Sequence, residues 1–309
     1  MYFSSFITNG ILLLDKPSGI TSNNALKEVK HIFGINKAGY TGTLDPLATG
    51  MLPICFGEAT KFSQYLSNAN KRYLVLARLG KKTDTLDKCG NILKESPIDF
   101  NIKDLHNVLK SFEGIISQLP PMFSALKYKG IPLYKYARKG IIIKRKERLI
   151  TIYELNFIKW IDDELELEVN CSKGTYIRTL IDDIGEKLGC SAHVIKLRRL
   201  QVANCNLNKM FTFEQLNKLF SVFVKTGMSL KDLVDRLILP IDSQLSHLPT
   251  LNLLPCNVNK LKQGKLISVD EVLPKGFLRI TEGDFCKFVG IAKIINNGFI
   301  APHRLLNIC

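Results

Sequence analysis

The spacing of apolar positions along the chain predicts a protein that contains both strands and helices. Residues 73–79 alternate between apolar and polar side chains, which is the pattern of a strand with one buried face. Short apolar runs at 10–14 and 51–55 predict two more strands. Further strands are predicted at 194–202 and, as a pair joined by a turn at Asp162-Asp163, at 150–160 and 164–171.

Helical spacing marks five other segments. Thr21 and Ser22 can cap the first helix and Gly34 can end it, because a hydroxyl accepts from free N–H groups and glycine adopts the left-handed closing conformation. The apolar faces of the predicted helices are Leu26, Val29, Ile32 and Phe33; Ala59, Phe62, Tyr65 and Leu66; Leu105, Val108, Leu109 and Phe112, closed by Gly114; Ile177, Leu180, Ile181, Ile184 and Leu188; and a stretch near 213–220.

Composition places the chain among globular proteins. At 309 residues with 46% hydrophobic content it can bury a large core and divide into two domains. The last 60 or so residues consist of short apolar runs separated by Gly and Pro, which predicts a small β-barrel-like appendage. We expect no membrane association and a cytoplasmic location, since no apolar run approaches about 18 residues and the N-terminus does not resemble a signal peptide.

Several kinds of chemistry lack their signatures. The eight cysteines and five histidines are scattered without the paired spacing of a zinc site, so we predict no metal. Neither GxxxxGK[ST] nor a GxGxxG after the first strand is present, so we predict no nucleotide cofactor. No GxSxG nucleophile motif occurs either.

Charge points to a polyanionic partner. The formal net charge of +15 favours nucleic acid, because neutralising phosphates releases counterions. Much of this charge lies in the segment 122–150, MFSALKYKGIPLYKYARKGIIIKRKERLI, where Glu147 is the one acidic residue among many lysines, arginines and three tyrosines. We interpret this basic segment as an arm that contacts a phosphate backbone and stacks on bases.

The loop GYTGTLDPLATGMLP, residues 39–53, carries one acidic residue, Asp45. An Asp before Pro is usually structural, because its carboxylate starts a turn by accepting local N–H groups. The alternative is a single carboxylate that performs chemistry. Two other stretches carry candidate groups beside apolar elements: Tyr73 follows two cations at a strand start, and Tyr176 and Arg178 lie in the first turn of the predicted helix after 171–174.

Together these stretches resemble the bacterial tRNA pseudouridine-55 synthases, the TruB family. The resemblance rests on LLLDKPSGITSN, GYTGTLDPLATGMLPICFGEATKFSQYL, KRYLVLARLGKKTDTLD, PPMFSALKYKGIPLYKYARKG, CSKGTYIRTLIDDIGEKLGC and AHVIKLRRL, in that order. It implies an α+β fold, with a mixed and largely antiparallel sheet flanked by helices in a catalytic domain at 1–248. It also implies a PUA-like RNA-binding domain at 249–309 and a thumb insertion at about 122–150.

By this resemblance the chain isomerises uridine to pseudouridine at position 55 of the tRNA T-loop, without cofactor, metal or obligate protein partner, as a monomer. Asp45 is then the essential carboxylate; it can stabilise positive charge at C1′, add covalently, or remove a ribose proton. Arg178 is expected to hold Asp45 ionised and Tyr73 to stack on the base near C5. Tyr176 and Leu197 are expected to line the pocket, and Lys16 and Pro17 to support the catalytic loop.

One residue departs from the family pattern. Bacterial members generally have His where this chain has Tyr40, at a position that contacts RNA near the flipped base, so we expect weaker or altered RNA contact with chemistry retained. Two alternatives stay open at this stage: a guide-RNA-dependent enzyme of the dyskerin type, and a tRNA-folding chaperone with an inert pocket.

Overall fold

The computed structural model describes residues 9–205, 209–226, 233, 236–269, 276–295 and 298–307. Its strands are β1 (Gly10–Lys16), β2 (Ala38–Tyr40), β3 (Thr49–Phe56), β4 (Lys71–Leu79), β5 (Lys81–Thr83), β6 (Ile92–Glu95), β7 (Gly114–Gln118), β8 (Lys127–Tyr128), β9 (Ile131–Pro132), β10 (Arg148–Ile161), β11 (Glu164–Cys171), β12 (Ala192–Val202), β13 (Ile238–Leu239), β14 (Thr250–Leu253), β15 (Ile267–Ser268), β16 (Phe277–Glu282), β17 (Lys287–Ile295) and β18 (Phe299–Leu305).

The α-helices are α1 (Ser22–Phe33), α2 (Ser63–Asn68), α3 (Ile102–Lys110), α4 (Leu133–Ala137), α5 (Ile177–Lys187), α6 (Phe213–Thr226) and α7 (Pro255–Lys262), and a 3₁₀ helix spans Gly57–Phe62. None of the helices in the described ranges is long and apolar enough to cross a membrane.

A nine-stranded sheet organises residues up to β13. The order is β13-β1-β3-β12-β4-β11-β10-β7, with β2 paired to β3. Within the described residues the β3–β12 pair is parallel and the other neighbours are antiparallel, so the predicted α+β class with a mixed, largely antiparallel sheet is confirmed. This arrangement brings the start of β3 beside the centre of β12, where Arg199 pairs with Gly50.

Both faces of the sheet are covered. Alternating residues Leu12 and Leu14 of β1 belong to the main core, which packs the sheet against α1, α3, α5 and α6. The intervening residues Ile11 and Leu13 belong to a second cluster on the other face, which includes the 3₁₀ helix and Ile291 of the C-terminal sheet. Because successive side chains of a strand point to opposite faces of the sheet, alternate residues of β1 pack into two different hydrophobic cores.

The C-terminal residues form a five-stranded sheet in the order β14-β16-β17-β18-β15, curled into a half-barrel. Its own core includes Leu278 and Ile280 and covers α7 through Val258 and Leu261. Contacts with the rest of the chain are polar as well as apolar: the Glu58 carboxylate accepts the Asn307 N–H at 2.8 Å. The predicted boundary between residues 248 and 249 stays a prediction.

Most predicted elements are present, but the short elements β2, β5–β9, β13 and α4 were not predicted, and the helix predicted around 59–66 is a 3₁₀ helix followed by α2. Helix α1 begins and ends as predicted: the Thr21 hydroxyl accepts the Asn24 N–H at 3.1 Å, and Gly34 closes it at φ 62°. Gly114 does not close α3, because that helix ends at Lys110 and Gly114 begins β7. Helix α7 was not predicted, since only Val258 and Leu261 of its eight residues are buried.

Candidate active site

The loop that carries Asp45 is held by the segment that follows β1. The Ser22 hydroxyl donates to the Leu44 carbonyl at 2.9 Å and accepts the Leu44 N–H at 2.8 Å. The Ser18 hydroxyl donates to the Leu47 carbonyl at 3.0 Å, and the Gly19 N–H donates to the Pro46 carbonyl at 2.8 Å. These contacts fix the backbone on both sides of Asp45.

Lys16 reinforces the same support from inside the protein. Its side chain is fully buried, and its ammonium donates to the carbonyls of Pro17 at 2.8 Å and Ile20 at 2.9 Å. Burial lowers the pKa of Lys16 to about 8, while the Asp45 carboxylate acts in the opposite direction. The structure therefore agrees with a supporting role for this lysine.

Arg178 binds Asp45 through two donors. Its Nε lies 2.8 Å from Asp45 Oδ2, and its Nη2 donates to Asp45 Oδ1 at 3.3 Å. The guanidinium has two further acceptors, the carbonyls of Thr85 at 2.8 Å and Phe123 at 2.7 Å, and it forms an ion pair with Asp87 Oδ2 at 3.7 Å. A guanidinium fixed on several sides cannot rotate freely, so it imposes one orientation on the Asp45 carboxylate.

Sequence reasoning missed Asp87, although it lies in the quoted stretch KKTDTLD. It is buried, and its Oδ1 accepts from the Thr85 hydroxyl at 2.7 Å and the Cys89 N–H at 2.9 Å. No spacing signal relates residue 87 to residue 178, because the fold alone brings them together. The stretch contains two acidic residues, Asp84 and Asp87, and considering both as possible partners of a catalytic group would have made Asp87 a candidate.

The Asp45 carboxylate lies between a dry interior and open solvent. Its side chain is 38% exposed, while that of Arg178 is 5% exposed. Burial raises the pKa of the Asp45 carboxyl above its ordinary value; the Arg178 guanidinium opposes this increase and the Asp87 carboxylate adds to it. Arg178 therefore supports the ionised form of Asp45 at a position where the surroundings disfavour it.

A pocket of about 320 Å³ opens beside this ion pair. That volume lies at the lower end of the usual range for small-ligand sites. The pocket brings together five of the six predicted site residues, which are Asp45, Tyr73, Tyr176, Arg178 and Leu197. Further residues in its lining are Lys71 and Arg199, on the two strands that carry Tyr73 and Leu197.

Tyr73 is a strand residue that faces the pocket from the core side. It is 9% exposed and alternates with outward-facing neighbours along β4. Burial raises the pKa of its phenol, and the Arg199 guanidinium opposes that increase. Leu197 lies on β12 on the same side and pairs with Val75, so a flat ring in the pocket would meet a phenol and an aliphatic side chain.

Tyr176 is the residue before α5 rather than part of its first turn. The side chain of Gln118 clamps its backbone: Gln118 Nε2 donates to the Tyr176 carbonyl at 3.1 Å, and the Tyr176 N–H donates to Gln118 Oε1 at 2.8 Å. This clamp fixes the start of α5 and thereby the direction in which Arg178 enters the pocket.

Tyr40 is the predicted site residue that the structure does not place in the pocket lining. It ends β2, pairs with Ile54 and packs partly buried against the main core. A contact between Tyr40 and RNA stays a prediction. Within the described residues no group of three His, Cys, Asp or Glu side chains could hold a metal ion.

The basic segment 122–150 reaches the pocket at its first residues. Ser124, Ala125 and Leu126 contribute to the lining, and the Phe123 carbonyl accepts from Arg178. Farther along, the segment forms the hairpin β8–β9 and helix α4, with a cation over an aromatic ring where Arg138 lies 5.3 Å from the Tyr134 centroid. The uncharged first residues of the basic segment thus border the candidate active site, and its charged residues begin directly after them at Lys127.

Three family patterns together match most of the chain. Residues 30–177 match the N-terminal domain of the TruB family pseudouridylate synthases. Residues 178–246 match the tRNA pseudouridylate synthase B C-terminal domain, and residues 249–306 match the C-terminal pattern of pseudouridine synthase II TruB.

Curated relatives are similar over nearly the full length. A tRNA pseudouridine synthase B of Serratia proteamaculans is 53% identical over 298 residues, covering 96% of this chain and 95% of the relative. One of Photorhabdus laumondii is 54% identical over 300 residues with the same coverage.

Among solved structures, a chain of a Cbf5-Nop10-Gar1 complex matches with a TM-score of 0.75 at 25% identity, covering 96% of this chain and 82% of the other. A chain of an H/ACA RNP bound to a substrate RNA matches with a TM-score of 0.74 at 23% identity, covering 97% and 85%. These neighbours show a pseudouridine synthase fold. Family patterns, relatives and fold agree, and the chain belongs to the TruB family of pseudouridylate synthases.

Proposed function

We propose that this protein isomerises uridine to pseudouridine at position 55 in the T-loop of tRNA. The observation that carries the proposal is the Asp45 carboxylate, bound at 2.8 Å by a buried guanidinium and facing a pocket that Tyr73 and Leu197 also line. The two curated relatives described above, which are 53% and 54% identical to this chain, are named tRNA pseudouridine synthase B, and this supports tRNA as the substrate.

The reaction begins with access to the sugar. A uridine inside the folded tRNA elbow is stacked, so C1′ becomes reachable only when the nucleotide is flipped out, at a cost of a few kcal/mol. The basic segment 122–150, next to the pocket, is suited to offset that cost through phosphate contacts. Recognition through the shape of the T-arm is expected, as is common for folded RNA.

The chemistry then acts on the bond between C1′ and N1. Cleavage of this bond develops positive charge at C1′, and the ionised Asp45 carboxylate is placed to meet it. Arg178 keeps the carboxylate oriented, and its contact with Asp87 gives the guanidinium a second negative partner when Asp45 engages the substrate. The uracil turns within the pocket between Tyr73 and Leu197 and rejoins the ribose through C5.

The C5 proton must leave to complete the product. Tyr73, which lines the pocket, is a candidate acceptor that acts directly or through water. N1 gains a proton as C5 loses one, so substrate and product have the same composition; the reaction is an isomerisation and requires no co-substrate.

The decisive experiment incubates the purified chain, without added RNA or protein, with unmodified tRNA and maps pseudouridine at single-nucleotide resolution. We expect one modified position, residue 55 of the T-loop, and the same result on an isolated T-arm hairpin. Modification at another position of the tRNA would contradict residue 55 as the target. Activity that requires a guide RNA would favour the dyskerin-type alternative.

A catalytically inert tRNA chaperone is the other alternative. It predicts unchanged uridine with tRNA binding intact. The two-donor contact between Arg178 and Asp45 weighs against it, because a binding protein has no use for a carboxylate held in one orientation at a partly desolvated position.

A further inference from the structure

Arg199 is a buried cation that has no role in the reaction steps described above. It is 1% exposed; its Nε donates to the Met51 carbonyl at 2.7 Å and its Nη2 to the Gly42 carbonyl at 2.8 Å. Across the described ranges no carboxylate forms an ion pair with it, whereas its neighbour Arg198 binds both oxygens of Asp15 at 2.9 and 2.6 Å.

Such a guanidinium is costly for folding. Burying a charge without a counter-charge is unfavourable, and well-packed apolar residues at such positions are often equally or more stabilising. A role in the pocket that Arg199 lines offers a reason for its presence.

Tyr73 is the residue directly opposite Arg199 across the sheet. The two residues are cross-strand partners on β4 and β12, and both line the pocket. The other titratable groups that act on the Tyr73 phenol are Asp45 from the catalytic loop and Cys171 from β11. Burial raises the pKa of Tyr73, and of these groups Arg199 is the one that opposes the increase.

The catalytic loop leaves room for this guanidinium because it has a glycine, Gly42, at the point of contact. A Cβ atom on Gly42 would lie 3.1 Å from Arg199 Nη1, closer than side chains normally approach, and Gly42 has φ +66°. Arg199 thus joins the loop that carries Asp45 to the strand that carries Tyr73.

We propose that Arg199 is a positioning residue that acts through Tyr73, holding the phenol oxygen in the pocket and stabilising negative charge on it. This inference rests on the proposed function. In the last step the Tyr73 oxygen, whose own proton passes to water, takes the proton from C5 and is restored as the phenol. The electron pair of the C5–H bond forms the C5–C6 double bond, and N1 takes up a proton from water.

The test is a double-mutant cycle with Arg199→Gln, Tyr73→Phe and the combined variant, on an unmodified T-arm hairpin under single-turnover conditions. Arg198→Gln is the matched control, because it removes the adjacent arginine, whose side chain binds Asp15. Hairpin affinity at fixed salt and a thermal melt accompany each rate. Arg199→Lys retains the charge and serves if the glutamine variant does not fold.

We expect Arg199→Gln to lower the rate by about tenfold or more, with hairpin affinity within about threefold. In the Tyr73→Phe background the same change should have little further effect, because the two residues act as one unit. The deficit of Arg199→Gln should also shrink as pH rises, since more of the phenol ionises. Arg198→Gln should retain the rate of the unaltered protein.

Additive effects of the two substitutions, or a deficit that is independent of pH, would overturn the inference and leave Arg199 a structural residue. If Arg199→Gln is unfolded, loss of rate in Arg199→Lys that persists undiminished in the Tyr73→Phe background would overturn it equally. Failure of the unaltered protein to modify the hairpin is a different result, since it contradicts the proposed function itself.

Discussion

Arg178 and Asp45 meet edge to edge, with Nε 2.8 Å from Oδ2 and Nη2 3.3 Å from Oδ1. The pair joins α5 to a loop more than 130 residues earlier in the chain, and the same guanidinium binds the Phe123 carbonyl at the start of the basic segment. The proposed site of chemistry and the segment expected to contact RNA are therefore linked through one side chain.

Arg178→Lys should keep the charge but lose the two-donor contact. An ammonium cannot reproduce a planar fork, so the Asp45 carboxylate would gain rotational freedom. We expect the single-turnover rate to fall by at least about tenfold with modest change in hairpin affinity. Arg178→Leu should additionally destabilise the fold by about 3 kcal/mol, since Asp87 would keep a buried charge without its arginine.

Thermal melts and rates of both Arg178 variants check these expectations. Equal rates for Arg178→Lys and the unaltered protein would show that orientation by the fork is not required.

The dependence of the rate on pH should report Asp45. Its carboxyl must be ionised to act, and burial raises its pKa, so the rate should decline as pH falls through a midpoint above the ordinary value of 3.8. The Asp87 carboxylate contributes to that increase. Asp87→Asn should therefore move the acidic midpoint to lower pH.

The measurement is the single-turnover rate of both proteins across the acidic range. A midpoint that moves to higher pH in Asp87→Asn would contradict the electrostatic account.

Glu58 should stabilise the contact between the C-terminal sheet and the rest of the protein. Burial raises the pKa of its carboxyl, but hydrogen bonds from Lys37, Lys61 and the Asn307 N–H outweigh this and lower it to about 2. Because the folded pKa is depressed, the stabilisation is present above the unfolded pKa of about 4.5 and is lost as pH falls toward 2.

Glu58→Gln should accordingly cost about 2 kcal/mol at neutral pH, after allowance for the exposure of Lys37, and less than half of that at pH 3. Chemical denaturation at the two pH values measures this. The idea fails if the cost is the same at both.

Gly50→Ala should be strongly destabilising. Gly50 has φ +96°, and a Cβ there would lie 2.3 Å from the Arg199 carbonyl, at the parallel pairing of β3 and β12. Gly189→Ala is the matched control, because Gly189 has φ +79° but a Cβ there would meet nothing within 4 Å. We expect about 1 kcal/mol for the control and clearly more for Gly50→Ala, from denaturant midpoints.

The longer strands and helices could be predicted from the sequence because hydrophobic periodicity and capping residues, which act over a few neighbouring positions, determine them. Strand β4 alternates strictly between buried and half-buried residues, and α1 carries its own capping residues. Helix α7 was missed because it lacks a broad apolar face. Gly114 was misplaced at a helix end because a glycine with positive φ can equally well begin a strand, as it does here.

The candidate site was predictable to a lesser degree. Asp45, Tyr73, Tyr176 and Arg178 were candidates from their local sequence, family resemblance assigned their roles and added Leu197, and the structure places all five around one pocket. Asp87 and Arg199 were missed because their importance lies in contacts with Arg178 and Tyr73, which no local spacing in the sequence encodes.

The central claim is that the Asp45 carboxylate performs the chemistry, and Asp45→Asn tests it most directly. Asp163→Asn is the matched control, since Asp163 also pairs through Oδ2 with an arginine Nε, that of Arg78 at 3.2 Å, away from the pocket. With unmodified tRNA, Asp45→Asn should yield no pseudouridine at residue 55 while binding tRNA within severalfold of the unaltered protein, and Asp163→Asn should remain active. Pseudouridine formed by folded Asp45→Asn would contradict the account.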